Sequence, residues 1–265
     1  MTDAIDETLT PAATVLLVRP SADDSLEVAM VERHANVGFA GGALVFPGGK
    51  VDAADSDPSW RGLTVGLSED QTLAAAQIAA LRETFEEVGL LLASRDGERL
   101  GAHEVLAFSE WRKKSDNDAS VFLDLIQQEN LCLHADELTL FAHWSPPPGV
   151  GHRRFDTRFF IAKAPAGQEI EQDGVETTEA IWIAPDRALD DGKVGRRKVI
   201  FPTARNLELL NVSESVSAAI SFAKSRKIVR VQPGVEDIDG VKCLTIPDGL
   251  GYPVLSEPIE SALRA

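Results

Sequence analysis

Apolar residues fall in short blocks over the first part of the chain and then change period. Residues 13–18 and 26–31 are apolar runs separated by the turn-rich stretch Pro20-Ser21-Ala22-Asp23-Asp24-Ser25, which predicts a β-hairpin. A third run at 43–46 is broken by Pro47-Gly48-Gly49. From residue 73 the spacing lengthens, and Leu73, Ile78, Leu81, Phe85 and Val88 recur at roughly helical intervals. Ser68-Glu69-Asp70-Gln71 reads as an S-x-x-Q capping box that opens this helix, and Gly89 stops it. The stretch is therefore strand, loop, helix.

The segment 56–65, with Pro58 and Trp60, has no regular period and reads as an ordered excursion ahead of the helix, either shielding a site or decorating the surface. Two helical patterns at 103–114 and 119–129 flank the breaker Ser115-Asp116-Asn117-Asp118 and predict a helical hairpin that serves as a cap or as a dimer contact. Strand patterns follow at 138–144, 158–163 and 180–183, helical ones at 204–210 and 213–227, and apolar runs at 228–231 and 241–246. The breaker-rich 247–253 is expected on the surface. With no repeat and no linker, the chain reads as an acidic tail at 1–11 and one domain at 12–265. Its core covers about 12–210, a helical insertion about 103–130, and an extension about 211–265.

Chemistry enters at Arg82-Glu83-Thr84-Phe85-Glu86-Glu87-Val88-Gly89-Leu90. Carboxylates at i, i+3 and i+4 share one helix face, where they repel one another unless a cation is present. A solvated, glutamate-rich face explains the same spacing. The run also resembles the Nudix hydrolase signature, G, five residues, E, seven residues, R-E-U-x-E-E-x-G-U, with Thr84 at the first aliphatic position. Gly49 fits its opening glycine. Gly49 and Arg82 lie 33 positions apart, an insertion of 19 residues, and Asp55 stands where the first glutamate belongs.

That resemblance implies a Nudix-type α/β/α sandwich with a mixed sheet, and Mg²⁺ or Mn²⁺ held by Glu83, Glu86, Glu87 and the Gly49 carbonyl, with Glu86 and Glu87 at the heart of catalysis. It also implies that Arg82 fixes the loop on the helix through an acid, for which Asp55, Asp52 or a residue of the following segment qualifies. A general base often sits six residues before a tryptophan that opens a strand. Here that residue is Glu176, six before Trp182, with Glu179 as the alternative. Arg33, at the exit of the second strand, is where such hydrolases begin the substrate pocket. The run RRFDTRFF at 153–160 is similar to a subgroup resembling the peroxisomal coenzyme A diphosphatases, which makes Arg153, Arg154 and Phe155 candidate substrate contacts. The coenzyme A signature of the better-known subgroup is not matched by Val31-Glu32-Arg33-His34-Ala35-Asn36. Coenzyme A or acyl-CoA is therefore the expected substrate, with ADP-ribose or NADH, or a catalytically silent ligand-binding module, as alternatives.

Composition narrows this little. A net charge of −16, from 42 acidic and 26 basic residues, argues against nucleic acid as partner and leaves small phosphorylated molecules open. Cys132 and Cys243 are isolated, so no disulfide framework or zinc site is expected, and the five histidines form no cluster. No apolar run approaches a membrane span, the first residues lack a signal-peptide pattern, and the last four are no S-K-L address, so a cytoplasmic protein, with homodimer formation open, is the expectation.

Overall fold

The computed structural model describes residues 9–35, 40–147 and 154–264. The hairpin predicted at the start is β1 (Thr10–Pro20) and β2 (Leu26–Arg33), followed by β3 (Leu44–Val45) and β4 (Gly48–Lys50). The inserted segment forms a 3-10 turn at Ala53–Ser56, α1 (Trp60–Leu63) and β5 (Thr64–Val65), and leads into α2 (Gln71–Val88). Next come β6 (Ala93–Arg95), β7 (Glu98–Arg99), α3 (Ala102–Leu106), α4 (Ser109–Ser115), α5 (Ser120–Gln128) and β8 (Leu131–His134). The chain continues with β9 (Thr139–Trp144), β10 (Phe155–Lys163), β11 (Thr177–Ile183), α6 (Pro185–Lys193), α7 (Phe201–Leu210) and α8 (Val216–Ser225). It ends with β12 (Arg230–Val231), β13 (Gly234–Ile238), β14 (Val241–Thr245), β15 (Ser256–Pro258) and α9 (Ile259–Arg264).

The main sheet runs β11-β2-β1-β10-β9-β12, with β3 on β2 and β4 on β1. It is mixed, since β1·β10 and β12·β9 are parallel and the other pairs antiparallel. Alternation along each strand sends successive side chains to opposite faces. Ala13, Val15 and Leu17 of β1 pack with Ala29, Val31, Phe160 and Ala162 under Ile78, Leu81 and Phe85 of α2. Leu16 and Val18 pack with Val28, Met30, Phe159 and Ile161 under Leu207 and Leu210 of α7 and Ala219 and Ala223 of α8. Two apolar cores on the two faces of one mixed sheet make the expected α/β/α sandwich. A smaller sheet, β5-β8-β6-β7, and a C-terminal one, β13-β14-β15, complete it.

Several local expectations are corrected. Asp70 caps α2, accepting from the Leu73 N–H at 2.8 Å, and the Ser68 N–H goes to Gln77 Oε1 at 2.9 Å. The insertion is no surface ornament, because Trp60 is fully buried against Phe122, with its Nε1 donating to the Ala54 carbonyl at 2.9 Å. The first arm of the helical hairpin breaks into α3 and α4 at Ala107 and Phe108. The hairpin folds back on α2, where the Phe122 ring packs tilted against that of Phe85, centroids 5.9 Å apart. Tyr252, expected on the surface, is buried and accepts from Trp144 Nε1 at 2.9 Å. Among the described residues no helix is long and apolar enough to cross a membrane.

Candidate active site

Helix α2 carries the site. Its first half is alanine-rich, at Ala74, Ala75, Ala76, Ala79 and Ala80, and lies close to the sheet. Thr84, unusual where the signature prefers an aliphatic, is buried with its hydroxyl donating to the Ala80 carbonyl at 2.8 Å, so the polar atom costs little. Gly89 ends the helix at φ 71°, the left-handed conformation glycine adopts without penalty.

Arg82 is the hub. It clasps Asp55 through Nε and Nη2 at 2.9 and 3.0 Å, and donates to the Lys50 carbonyl at 2.9 Å, to Glu83 at 2.9 Å and to Glu86 at 2.6 Å. Of the acids the sequence offered as its partner, Asp55 is the one engaged. Asp52 instead caps the 3-10 turn, and its own N–H goes to Asp55 Oδ2 at 2.8 Å. Burial works against charge on Arg82, but Asp55, Glu83 and Glu86 outweigh it and hold the guanidinium fully protonated.

The glutamates form no solvated face. Glu86 and Glu87 are each 4% exposed. Glu87 accepts from the Gly48 N–H at 2.8 Å and pairs with Arg33 at 3.4 Å, while Glu86 accepts from the Ser115 hydroxyl as well as from Arg82. Glu83 lies under the glycine loop: a Cβ on Gly49 would stand 2.4 Å from Glu83 Oε1. Burial raises the Glu83 carboxyl to about 7 and that of Glu86 to about 8, and burial with the neighbouring Glu83 charge raises Glu87 well above its ordinary range. Four acids, Asp55, Glu83, Glu86 and Glu87, thus face two guanidiniums, Arg82 and Arg33. A surplus of buried hard oxygen donors is what a divalent cation such as Mg²⁺ relieves. Among the described residues no three acids converge as a ready cation cage, because each carboxylate is turned onto a protein donor.

These shifts set a pH dependence. Unfolded glutamates ionise near 4.5, whereas the folded Glu83 and Glu86 do so only near 7 and 8. Between those values the folded state binds more protons, so stability falls as pH rises from about 5 to about 8 and levels off above. In chelator, the melting temperature should drop across that window, and the drop should shrink in Glu86→Gln. A melting temperature that rises over the window contradicts the shifts.

The approach to β11 supplies a further acid. Asp173 Oδ1 accepts from the N–H groups of Val175, Glu176 and Thr177 and from the Thr177 hydroxyl at 2.8 to 3.1 Å, which fixes the turn. Glu171 N–H donates to the Val88 carbonyl, and Arg112 of the hairpin donates to the carbonyls of Glu86 and Glu171 at 2.9 and 2.6 Å, strapping this loop to the end of α2. Glu176, half exposed, meets Arg33 at 3.0 Å, so Arg33 bridges Glu176 and Glu87. Glu179 points elsewhere, to Arg197 at 2.6 Å beside Glu32.

Arg33, Gly49, Arg82, Glu83, Glu86, Glu87 and Glu176 are therefore brought together. Phe155 starts β10 and Arg154 precedes it, on the far side of β1 from Gly49, and Arg153 lies outside the described residues. Ser115 and Arg112 were missed, since a serine in a breaker gives no sign that it folds back across 29 positions onto Glu86. Asp116 joins the same corner, its carboxyl raised by partial burial and by Asp173 and Glu176.

Two substitutions probe this geometry. Gly49→Ala drives a methyl into the Glu83 carboxylate, the flexible end of a side chain, so, if Glu83 takes part in holding a cation, it should weaken Mn²⁺ binding by about tenfold while shifting the melting temperature by only about 2 °C. Ser115→Ala should also cost about tenfold in Mn²⁺ affinity, with Ser115→Thr recovering part of it. Isothermal titration with Mn²⁺ reads both, and unchanged affinity in both variants would separate Glu83 and Glu86 from the metal.

Comparison with known proteins places this geometry. The NUDT19 Nudix domain matches residues 69–203, which span α2, the helical hairpin and Glu176. The acyl-coenzyme A diphosphatase NUDT19 of Xenopus laevis is 28% identical over a region covering 69% of this chain, and that of Homo sapiens 27% identical, also over 69%. The matched regions span 58% and 59% of those two relatives, less than two thirds of their length. A crystal structure of a NUDIX hydrolase from Alicyclobacillus acidocaldarius superposes with a TM-score of 0.70 at 25% identity, covering 80% of this chain and 96% of that one. A NUDT19-type domain across half the sequence, a matching fold, and an R-E-x-x-E-E helix locked to its glycine loop by Arg82 and Asp55 agree on one conclusion: the chain belongs to the Nudix hydrolase family, in the NUDT19 branch.

Proposed function

We propose that the chain is a Mg²⁺-dependent hydrolase that splits the diphosphate of a nucleoside diphosphate linked to another moiety, with coenzyme A and its thioesters as the substrate class. The observation that carries the reading is the carboxylate surplus at the buried Glu86 and Glu87 and the half-buried Glu83, held beneath the Gly48–Lys50 strand by Arg82 on Glu83 and Glu86 and by the Gly48 N–H on Glu87. The substrate class rests on the similarity to acyl-coenzyme A diphosphatases. Mn²⁺ is the alternative ion.

In this reading Glu83, Glu86 and Glu87, with the Gly49 carbonyl, would hold the cation, and the chemistry it would supply there is neutralisation of phosphoryl charge and activation of a water. Arg82 keeps Glu83 and Glu86 in register and holds the loop through Lys50 and Asp55. Gly48, at φ 155° with its N–H on Glu87, permits an approach no side chain tolerates, because a Cβ there would lie 2.4 Å from the Ala13 carbonyl oxygen. Arg33 stands between Glu87 and Glu176 as the local countercharge, and transfers its grip to the substrate diphosphate when that arrives. Glu176 is half solvent-exposed and takes the proton from the attacking water at a carboxylate oxygen.

Glu176→Gln should lower kcat by about a hundredfold while leaving the Mn²⁺ dissociation constant within about twofold, as expected of a base that acts on water. Glu179→Gln should leave kcat near wild type, given its place beside Arg197. If only the Glu179 change slows turnover, the roles are reversed.

A further inference from the structure

Ala13 of β1 faces Gly49 of β4 on one side and Arg158 of β10 on the other; Arg158 faces His143 of β9, and His143 faces Arg230 of β12. Gly49, Ala13, Arg158, His143 and Arg230 thus form one row across five strands. The row lies on the side of α2. The Cβ position of Gly49 points into the Glu83 carboxylate, and Ala13 packs in the core beneath α2. Phe159, Ala142, Trp144 and Val231, the immediate neighbours of the three basic residues, all pack into the opposite core. Alternation then sends Arg158, His143 and Arg230 to the catalytic face.

Asp156 holds the row together, with Oδ1 2.8 Å from His143 Nε2 and Oδ2 3.3 Å from Arg158 Nη1. Despite its burial, His143, Arg158 and Arg230 keep its carboxyl below the usual range. Two permanent cations and an imidazole therefore surround one anion, in a chain whose net charge is −16. Among the described residues Asp156 engages one Nη of the Arg158 fork, which carries five donors. Arg158 is two strand spacings from Gly49, about 10 Å. That is the scale set by one ribose and a side chain between a diphosphate and a second phosphate on the same nucleoside.

We propose that Arg158, His143 and Arg230 form a subsite for a phosphate monoester carried by the substrate's nucleoside remote from its diphosphate, as on an adenosine phosphorylated at the 3′ position. The proposal rests on the diphosphate-hydrolase reading for its orientation, and it assigns the recognition to Arg158 rather than to Arg153, Arg154 or Phe155 of the same run. A fork that takes a phosphate in two parallel hydrogen bonds suits Arg158, and the site's partial burial shields the pair from salt.

Binding and turnover test it separately. By titration calorimetry the wild-type protein should bind adenosine 3′,5′-bisphosphate about tenfold more tightly than AMP, the gain of one charge-assisted contact. Arg158→Gln should bring the two to near equality, and the solvent-exposed Arg230→Gln should lose several-fold, which covers the case that the Arg158 variant does not fold. Asp156→Asn removes the competing anion and should tighten the bisphosphate, whereas a purely structural aspartate would loosen it. In turnover, the kcat/KM ratio of coenzyme A over dephospho-coenzyme A should fall toward one in Arg158→Gln. Equal wild-type affinity for the two nucleotides, or a preference untouched by both arginine changes, overturns the subsite. Failure to hydrolyse any diphosphate while the bisphosphate preference persists and depends on Arg158 overturns the activity and leaves the subsite standing.

Discussion

Glu87→Gln should reduce kcat/KM for the diphosphate substrate by roughly a thousandfold while leaving the fold in place. Glu87 is buried between the Gly48 N–H and Arg33, and burial together with the neighbouring Glu83 charge raises its carboxyl well above the ordinary range. Burial favours the uncharged form of this carboxyl, and glutamine resembles that form closely. The metal-free melting temperature should therefore stay within about 2 °C of wild type. If Glu87 holds the cation as proposed, loss of its charge should raise the barrier by several kcal/mol, at 1.4 kcal/mol per tenfold. The same substitution should weaken Mn²⁺ binding and reduce the gain in melting temperature on adding Mg²⁺. Wild-type turnover at saturating Mg²⁺ would remove Glu87 from the site.

The second large effect is on stability. Arg82→Ala strips the buried Asp55 of its two-pronged partner and leaves Glu83 and Glu86 beside it without their cation. Breaking a buried ion pair from one side costs about 3–5 kcal/mol. For a domain of this size that corresponds to a melting temperature lower by about 10 °C. Arg82→Lys should recover little, because one ammonium cannot reproduce the fork that spans Asp55, Glu86 and the Lys50 carbonyl. Asp55→Ala should cost less than Arg82→Ala, since the guanidinium keeps Glu83, Glu86 and Lys50. Thermal denaturation in chelator reads all three, and an Arg82→Ala protein as stable as wild type would show that the hub holds nothing.

What could be read in the sequence was local. The hairpin β1–β2, the break at Gly48-Gly49 and the glutamate face of α2 follow from period and turn chemistry within a few residues. Where two local signals competed, the reading slipped: Ser68 and Asp70 both suit a helix start, and α2 takes Asp70 while the Ser68 N–H is satisfied by Gln77. Strands β6, β7 and β8, of two to four residues, are too short to display an alternation. Helix α6 went unread because Pro-Asp-Arg-Ala-Leu-Asp-Asp-Gly-Lys is polar and carries a glycine inside its last turn, although proline at its first position is a start signal.

The site was legible in its members and not in its environment. Spacing put Glu83, Glu86 and Glu87 on one face, yet what covers that face comes from elsewhere, the Gly48–Gly49 loop over Glu83 and Glu87 and, at Glu86, Ser115 and Arg112 of α4 folding back onto α2. No pattern in 103–129 encodes that contact. The insertion between Asp55 and Arg82 obscured their pairing, which 27 positions of chain close only in three dimensions. The sequence favoured Glu176 over Glu179 by spacing alone; what separates them in the fold is their partners, Arg33 beside Glu87 for Glu176 and Arg197 beside Glu32 for Glu179. Arg158 was hidden by its company. In a run of three arginines the adjacent pair drew attention, while strand register set the third in line with Gly49.

The most direct test is to incubate the protein with coenzyme A and Mg²⁺ in ¹⁸O-labelled water and follow the products by ³¹P NMR and mass spectrometry. The account predicts cleavage of the diphosphate into adenosine 3′,5′-bisphosphate and a phosphopantetheine, with ¹⁸O on one of the two new phosphates. The reaction should stop in chelator and in Glu87→Gln. Intact coenzyme A, acyl-CoA, NADH and ADP-ribose after prolonged incubation with Mg²⁺ or Mn²⁺, in a protein that is folded, would contradict it.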